Sequence, residues 1–191
     1  MAKVVVKSKV KKIKRKFPVE IKAPEVFNSV SLGKSQTTDL KLFIGKTVKM
    51  NLMYVTKSVK NQNVRVFFKV NEVSSGVAKT EVVGYEQIAY YLKRFVKAGS
   101  DLVEDSFVVT SKDGKKLRVK PFIVTKKCAT SMILSDIRQK VRELIEKDAL
   151  AIDAENYIYD VSIGKVQLGY RNEIKKIFPL KALEFRMVVI E

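Results

Sequence analysis

Residues 113–124 read Asp-Gly-Lys-Lys-Leu-Arg-Val-Lys-Pro-Phe-Ile-Val. Asp-Gly is a strong short-range hairpin signal, because both residues tolerate the backbone that a tight reversal needs. In the strand that follows, Lys116, Arg118 and Lys120 fall on one face while Leu117 and Val119 fall on the other, since side chains alternate along a strand. The stretch therefore predicts that a strand arrives through residues 102–110, turns at Asp113-Gly114, and returns through Lys115 to Val124 with a basic face.

Upstream, Val48, Met50, Leu52 and Tyr54 alternate and predict a strand over 48–55. Val64, Val66, Phe68 and Val70, opposite Arg65, Phe67 and Lys69, predict a second over 64–70, with residues 57–63 as the loop between them. Val77 to Val83 is a weaker strand ending at Gly84. Ile88, Tyr91, Leu92, Phe95 and Val96 then recur at helical spacing until Gly99, which predicts a helix of about three turns. Downstream, Ile133, Ile137, Val141, Leu144 and Ile145 form the stripe of an amphipathic helix over 131–147. Asp136/Lys140, Arg142/Glu146 and Glu143/Lys147 stand on it as opposite-charge pairs at i,i+4. Short helices over 154–163 and 165–177, the second stopped by Pro179, lead to a closing strand over Leu183–Ile190. Strands, helix, hairpin, helices, strand: this order predicts an α+β protein with a mostly antiparallel, barrel-like sheet flanked by several helices. Residues 17–191 read as one such domain and residues 1–16 as a basic, intrinsically flexible arm.

The 191 residues carry 38 Lys+Arg against 20 Asp+Glu, a net charge of +18, and the excess is not spread evenly. Residues 1–16 and 41–69 contain no acid, and 112–127 contain only Asp113; together these stretches hold +21, so the remainder sums to −3. Residues 128–191 are neutral, with ten bases and ten acids. A single Lys run is ordinarily a solvated face. Three nearly acid-free stretches repel one another in the compact state, and that arrangement makes sense when a polyanion covers them. Nucleic acid is the default polyanion. A membrane surface would call for a basic amphipathic helix with a large apolar face, and no run approaches the ~18 apolar residues of a spanning helix.

The chain has no His and one Cys. That removes Ser/His/Asp and Cys/His catalysis, His-metal sites, intrachain disulfides and Cys-rich zinc sites. Cys128 reads as a small buried residue in a reducing compartment. Gly33-Lys34-Ser35 and Gly45-Lys46-Thr47 resemble phosphate-loop fragments, but the required upstream Gly is replaced by Asn28 and Leu40, so each reads as a turn followed by a strand. Asp101, Glu104 and Asp105 keep a metal-using, His-free hydrolase open as an enzyme alternative, although such a cluster before a strand is more often a solvated loop. Phe67, set between Arg65 and Lys69, either stacks on an unpaired base or lies in a sheet buried on both sides. Only 8 of the 38 bases are Arg, which favours phosphate and shape recognition over base-edge readout.

Three blocks carry a family resemblance: Ile21-Lys22-Ala23-Pro24-Glu25-Val26-Phe27, Asp113 to Pro121, and Ile177-Phe178-Pro179-Leu180 followed by Glu184-Phe185-Arg186. In order and spacing they resemble the archaeal and eukaryotic small-subunit ribosomal protein family S-one-e, also called S-three-a-e. The resemblance implies a sheet flanked by helices on the platform of the small subunit, near the messenger exit. It implies ribosomal RNA and neighbouring platform proteins as partners, with messenger RNA at the exit, and it implies no enzymatic role, no cofactor and a cytoplasmic setting. The short C-terminus is similar to archaeal members.

The residues expected to meet RNA are Lys7, Lys9, Lys11, Lys12, Lys14, Arg15 and Lys16 of the arm, together with Lys57, Lys60, Arg65 and Lys69. Around the hairpin and its second strand they are Lys112, Lys115, Lys116, Arg118, Lys120, Lys126 and Lys127. A general basic RNA- or DNA-binding protein is the alternative binding class.

Overall fold

A computed structural model describes residues 16–191. Among these residues the alternating segments form nine strands: β1 (Phe17–Lys22), β2 (Ser31–Thr37), β3 (Thr47–Asn51), β4 (Val64–Ser74), β5 (Val77–Gln87), β6 (Leu102–Glu104), β7 (Phe107–Thr110), β8 (Lys116–Thr125) and β9 (Leu180–Ile190). Among the described residues five α-helices accompany them: α1 (Leu52–Thr56), α2 (Ala89–Lys93), α3 (Ser131–Ala151), α4 (Ala154–Ile163) and α5 (Lys165–Ile174).

All nine strands join one sheet with a main path β2-β1-β5-β9-β8-β6; β4 pairs with β5, β3 with β4, and β7 with β8. Among the described residues only β1 and β5 run parallel. Two long strands organise the sheet. Along one edge β5 pairs with β4, while its other edge is divided between β1 at Val77–Lys79 and β9 at Gly84–Glu86. The second organiser, β8, pairs with β9 along one edge and divides the other between β7 and β6. Pro121 falls where β7 and β6 part and where the β8–β9 register shifts. A proline offers no N–H to a ladder, so a central strand can hold one only at such a gap. The sheet does not close: among the described residues β2, β3, β6 and β7 each pair along one side, where a barrel-like arrangement was expected.

One face carries the main core. Met50, Val66, Tyr85, Val188 and Val119 form a row across five strands, and Ile137, Val141, Ile145, Tyr157, Ile158 and Ile174 of α3–α5 pack on that face. The α3 stripe behaves as its spacing predicts, with Ile137, Val141, Ile145 and Ala149 buried. Each fully buried aliphatic side chain contributes roughly 1.5–3 kcal/mol by leaving water.

Several elements differ from the sequence reading for identifiable reasons. The strand expected over 48–55 stops at Asn51, whose side chain accepts from the Met53 N–H at 2.9 Å and starts α1; local capping overrides the continued alternation of Leu52 and Tyr54. The helix expected over 88–96 is the shorter α2, because β5 runs on through Gln87. Residues 102–110 form two short strands, β6 and β7. Arg142 does not pair with Glu146; its Nε and Nη2 donate to Asp105 at 2.6 and 2.9 Å, tying the β6–β7 link to α3. Cys128, expected to be buried, is exposed after β8.

Candidate nucleic-acid interface

The face of the sheet opposite α3–α5 is divided. At the β6 end it is covered by α2, where Tyr91, Leu92 and Phe95 pack on Phe122, Val124 and Ala182. Burial raises the Glu184 carboxyl there, and Gln87 Nε2 donates to it at 3.4 Å.

The other end is open. The registers place Val108, Arg118, Val189, Gly84, Phe67 and Lys49 in one continuous row from β7 to β3. At about 4.8 Å per strand this row spans roughly 24 Å. A second row runs Lys120, Met187, Glu86, Arg65, Asn51. The middle of the first row is smooth and apolar, with the cations Arg118 and Lys49 toward its two ends, and the second row carries Glu86 at its middle. Gly84 produces the smoothness: a Cβ there would lie 3.0 Å from the Val188 carbonyl oxygen, 3.0 Å from Val189 Cγ2 and 3.2 Å from the Phe67 ring. Phe67 is buried, with the Lys49 ammonium 4.7 Å from its ring centroid. That geometry decides between its two expected roles, since the ring has no free face for a base.

Lys116 and Arg118 are exposed and Lys120 is half-buried. Leu117 and Val119 are buried between them, so parity separates the two sets as expected. Arg118 Nε contacts Glu191 Oε1 at 2.6 Å. Arg65 and Lys69 are exposed on the same face, opposite Glu86 and Glu81 of β5, which partly offset their charge.

The other expected residues lie elsewhere. Lys112 and Lys115 are exposed at the β7–β8 reversal, a three-residue loop in which Gly114 (φ 74°) takes the left-handed position. The Lys112 N–H donates to Ala149 O at 3.2 Å, and Asp113 Oδ2 accepts from the Ala154 N–H at 3.3 Å, docking this loop on the α3–α4 junction. Lys126 and Lys127 are exposed at the far end of β8, about 30 Å from Lys116 at ~3.3 Å per residue. Lys57 and Lys60 occupy the α1–β4 loop. Lys16 is exposed at the start of the described chain; Lys7, Lys9, Lys11, Lys12, Lys14 and Arg15 lie outside the described residues.

Two cations escaped the residue-level reading. Lys49 belongs to the open face by the same parity that places Val48 and Met50 inward. Arg186 sits in the β9 register shift beside Pro121 and lies 3.9 Å from Glu104; only the tertiary pairing shows its position.

The three carboxylates of the enzyme alternative are each engaged. Asp101 Oδ2 accepts from the Ala129 N–H at 2.6 Å, Asp105 holds Arg142, and Glu104 faces Arg186. Arg142 holds the Asp105 carboxyl below its usual range. Among the described residues no group of three or more His, Cys, Asp or Glu is placed to hold a metal ion, and no helix is long and apolar enough to cross a membrane. The Gly45 tripeptide is a turn (φ 84°) entering β3, and Gly33 lies within β2.

Comparison with known families decides the relationship. The model of the ribosomal S3Ae family matches residues 5–191. The chain belongs to that family. Among its relatives, the small ribosomal subunit protein eS1 of Nanoarchaeum equitans is 30% identical over 178 residues, covering 93% of this chain and 90% of the relative. The eS1 protein of Methanothrix thermoacetophila is 29% identical, covering 95% and 86%, and that of Saccharolobus islandicus is 32% identical, covering 91% and 83%. All three family blocks have structural work in this S3Ae fold. The first builds the turn that buries Ala23 and Phe27, the second is the β8 hairpin, and the third is β9 and its approach.

Proposed function

We propose that this S3Ae-family chain is a structural constituent of the small ribosomal subunit in the cytoplasm, without enzymatic activity, docking on folded ribosomal RNA through the open sheet face. The observation that carries this reading is the single surface made by Lys116, Arg118 and Lys120 with Arg65, Lys69 and Lys49 around the smooth Phe67–Gly84–Val189 centre. An A-form helix hides its base edges in a deep groove and offers phosphates and 2′-hydroxyls. Rigid cations at the two ends of a flat face suit such a target. Lys-rich composition suits phosphate positioning.

The arm over residues 1–16 threads between RNA segments, and residues 17–191 act as one domain beside it. Lys112 and Lys115 extend the contact at the hairpin, and Lys57, Lys60, Lys126 and Lys127 serve separate RNA segments. The platform near the messenger exit, with neighbouring platform proteins and messenger RNA within reach, is the position the family resemblance supplies.

The test replaces Lys116, Arg118 and Lys120 with Ala and measures binding to small-subunit ribosomal RNA across a salt series. For about six phosphates the wild-type log affinity falls with log salt at a slope of roughly −4 to −5, and the variant slope is shallower by about two to three. Folding is retained, because all three side chains lie outside the core. An unchanged slope, or duplex DNA bound as tightly as the ribosomal RNA, refutes the proposal.

A further inference from the structure

We infer that the cleft between the Phe27–Val30 turn and the α1–β4 loop is a binding pocket for one unpaired ribonucleotide, distinct from the open sheet face. The inference rests on RNA being the partner of this chain. The cleft encloses about 540 Å³, within the 300–1,000 Å³ typical of small-ligand sites. Its apolar floor is made by the buried Val55 and Phe27 and the half-buried Tyr159, whose ring meets Phe27 edge-on at 5.1 Å between centroids, and the exposed Ile163 stands at the rim.

Polar groups stand around this floor. The Asn28 amide, the Ser58 hydroxyl and the Lys57 ammonium line the cleft and make no hydrogen bond or ion pair among the described residues. Lys60 follows on the same loop, and none of the residues lining the cleft is acidic. An aromatic ring, an amide able both to donate and to accept, and the Lys57 cation match a base, its edge and its phosphate. An apolar peptide side chain would need only the floor.

The backbone points to the same place. Four non-glycine residues among those described have positive φ, and two of them line this cleft, Asn28 (58°) and Lys57 (54°), with Ser29 (49°) next to Asn28 in the turn. Such conformations cost free energy and persist where neighbours over-determine them, often at binding sites. Here the neighbours are identifiable. The Asn28 N–H donates to Glu25 O at 2.8 Å and the Ser29 N–H to Pro24 O at 3.3 Å. Across the cleft, Asn51 Nδ2 donates to Gln62 O at 2.7 Å and Asn61 Nδ2 to Thr56 Oγ1 at 3.0 Å. Both walls are set before any ligand arrives, which lowers the ordering cost of binding.

The test uses the full chain, fluorescence anisotropy and two probes: single-stranded oligo(A) of about ten nucleotides and a blunt RNA duplex of about 16 base pairs. Lys57→Asn removes the charge while keeping a residue that tolerates positive φ, and Tyr159→Leu removes the ring while keeping apolar contact with Phe27. Together they weaken single-strand binding roughly tenfold, the scale of one lost base stack and one phosphate contact, and change duplex binding by less than about twofold. The triple Ala variant of β8 shows the opposite pattern. A 4-thiouridine oligonucleotide crosslinks to peptides containing residues 55–61 or 159–163. Equal losses on both probes, no loss on the single strand, or crosslinks confined to residues 116–120 overturn the inference while leaving the open-face reading in place. Unchanged oligonucleotide binding with loss of a labelled amphipathic peptide in the same variants assigns the cleft to a protein and also overturns it. If the wild-type chain binds neither RNA probe, the RNA reading itself has failed.

Discussion

Replacing Gly84 with Ala should destabilise the protein, although alanine normally improves on glycine in a strand by roughly 0.5–1 kcal/mol. The added methyl would stand 3.0 Å from the Val188 carbonyl oxygen and 3.0 Å from Val189 Cγ2, with the Phe67 ring at 3.2 Å. The oxygen belongs to β9 backbone held in the sheet, so it cannot swing aside as a side-chain end could. Phe67 is pinned between Gly84 and the Lys49 ammonium. Overpacking of this kind costs about 1–3 kcal/mol, which leaves a net loss of about 0–2.5 kcal/mol once the glycine gain is subtracted, and the three atoms crowding the methyl put it in the upper part of that range. For a domain of this size each kcal/mol shifts Tm by roughly 2–4 °C, so thermal unfolding followed by circular dichroism should show a drop of several degrees, at most about 10 °C. Adding Phe67→Leu should recover part of it, because the double-mutant cycle removes the 3.2 Å contact and leaves the two at 3.0 Å. A variant as stable as wild type, or more so, would show that the sheet opens easily at this point and that the open face is not rigid.

Asp105 is held below the usual 3.8 by the Arg142 guanidinium, so its pairing stabilises the fold above that ordinary value and is lost as pH falls through the lower folded one. Thermal scans between about pH 5 and 2 should therefore show a steeper acid loss in wild type than in Asp105→Asn; parallel curves would refute the pairing. Asn51→Ala should cost about 0.5–2 kcal/mol from the lost helix cap alone, and Asn51→Asp should recover only part, since it keeps the acceptor for the Met53 N–H but loses the donor to Gln62 O. Chemical denaturation of the three proteins measures this. Cys128 is exposed, so an aromatic disulfide reagent should titrate it in the native protein as fast as after denaturation; slow native labelling would place it inside.

What could be read in the sequence depended on how local its cause was. The α3 stripe and the Lys116–Arg118–Lys120 parity follow from helical and strand periods within a few residues, and both were legible. The end of β3 was not, because Asn51 interrupts a pattern that Leu52 and Tyr54 continue, and the deciding hydrogen bonds reach Met53 and Gln62. Arg142 had two acids available, and the distant Asp105 prevails over the near Glu146 because both its oxygens accept from the guanidinium. The division of β5 between β1 and β9, the openness of the sheet, and the meeting of Asn28 with Lys57 and Tyr159 rest on pairings between segments far apart in the chain. Lys49 was within reach of the same parity argument as its neighbours.

Pro121 gives the middle of β8 a property useful before assembly. A ten-residue strand such as β8, with the apolar run Phe122–Val124, is a template on which unfinished copies could stack into fibrils. A proline at its centre denies any incoming strand an unbroken run of donors, whichever copy approaches. A chain of net charge +18 thus carries both charge repulsion and a built-in gap against self-association.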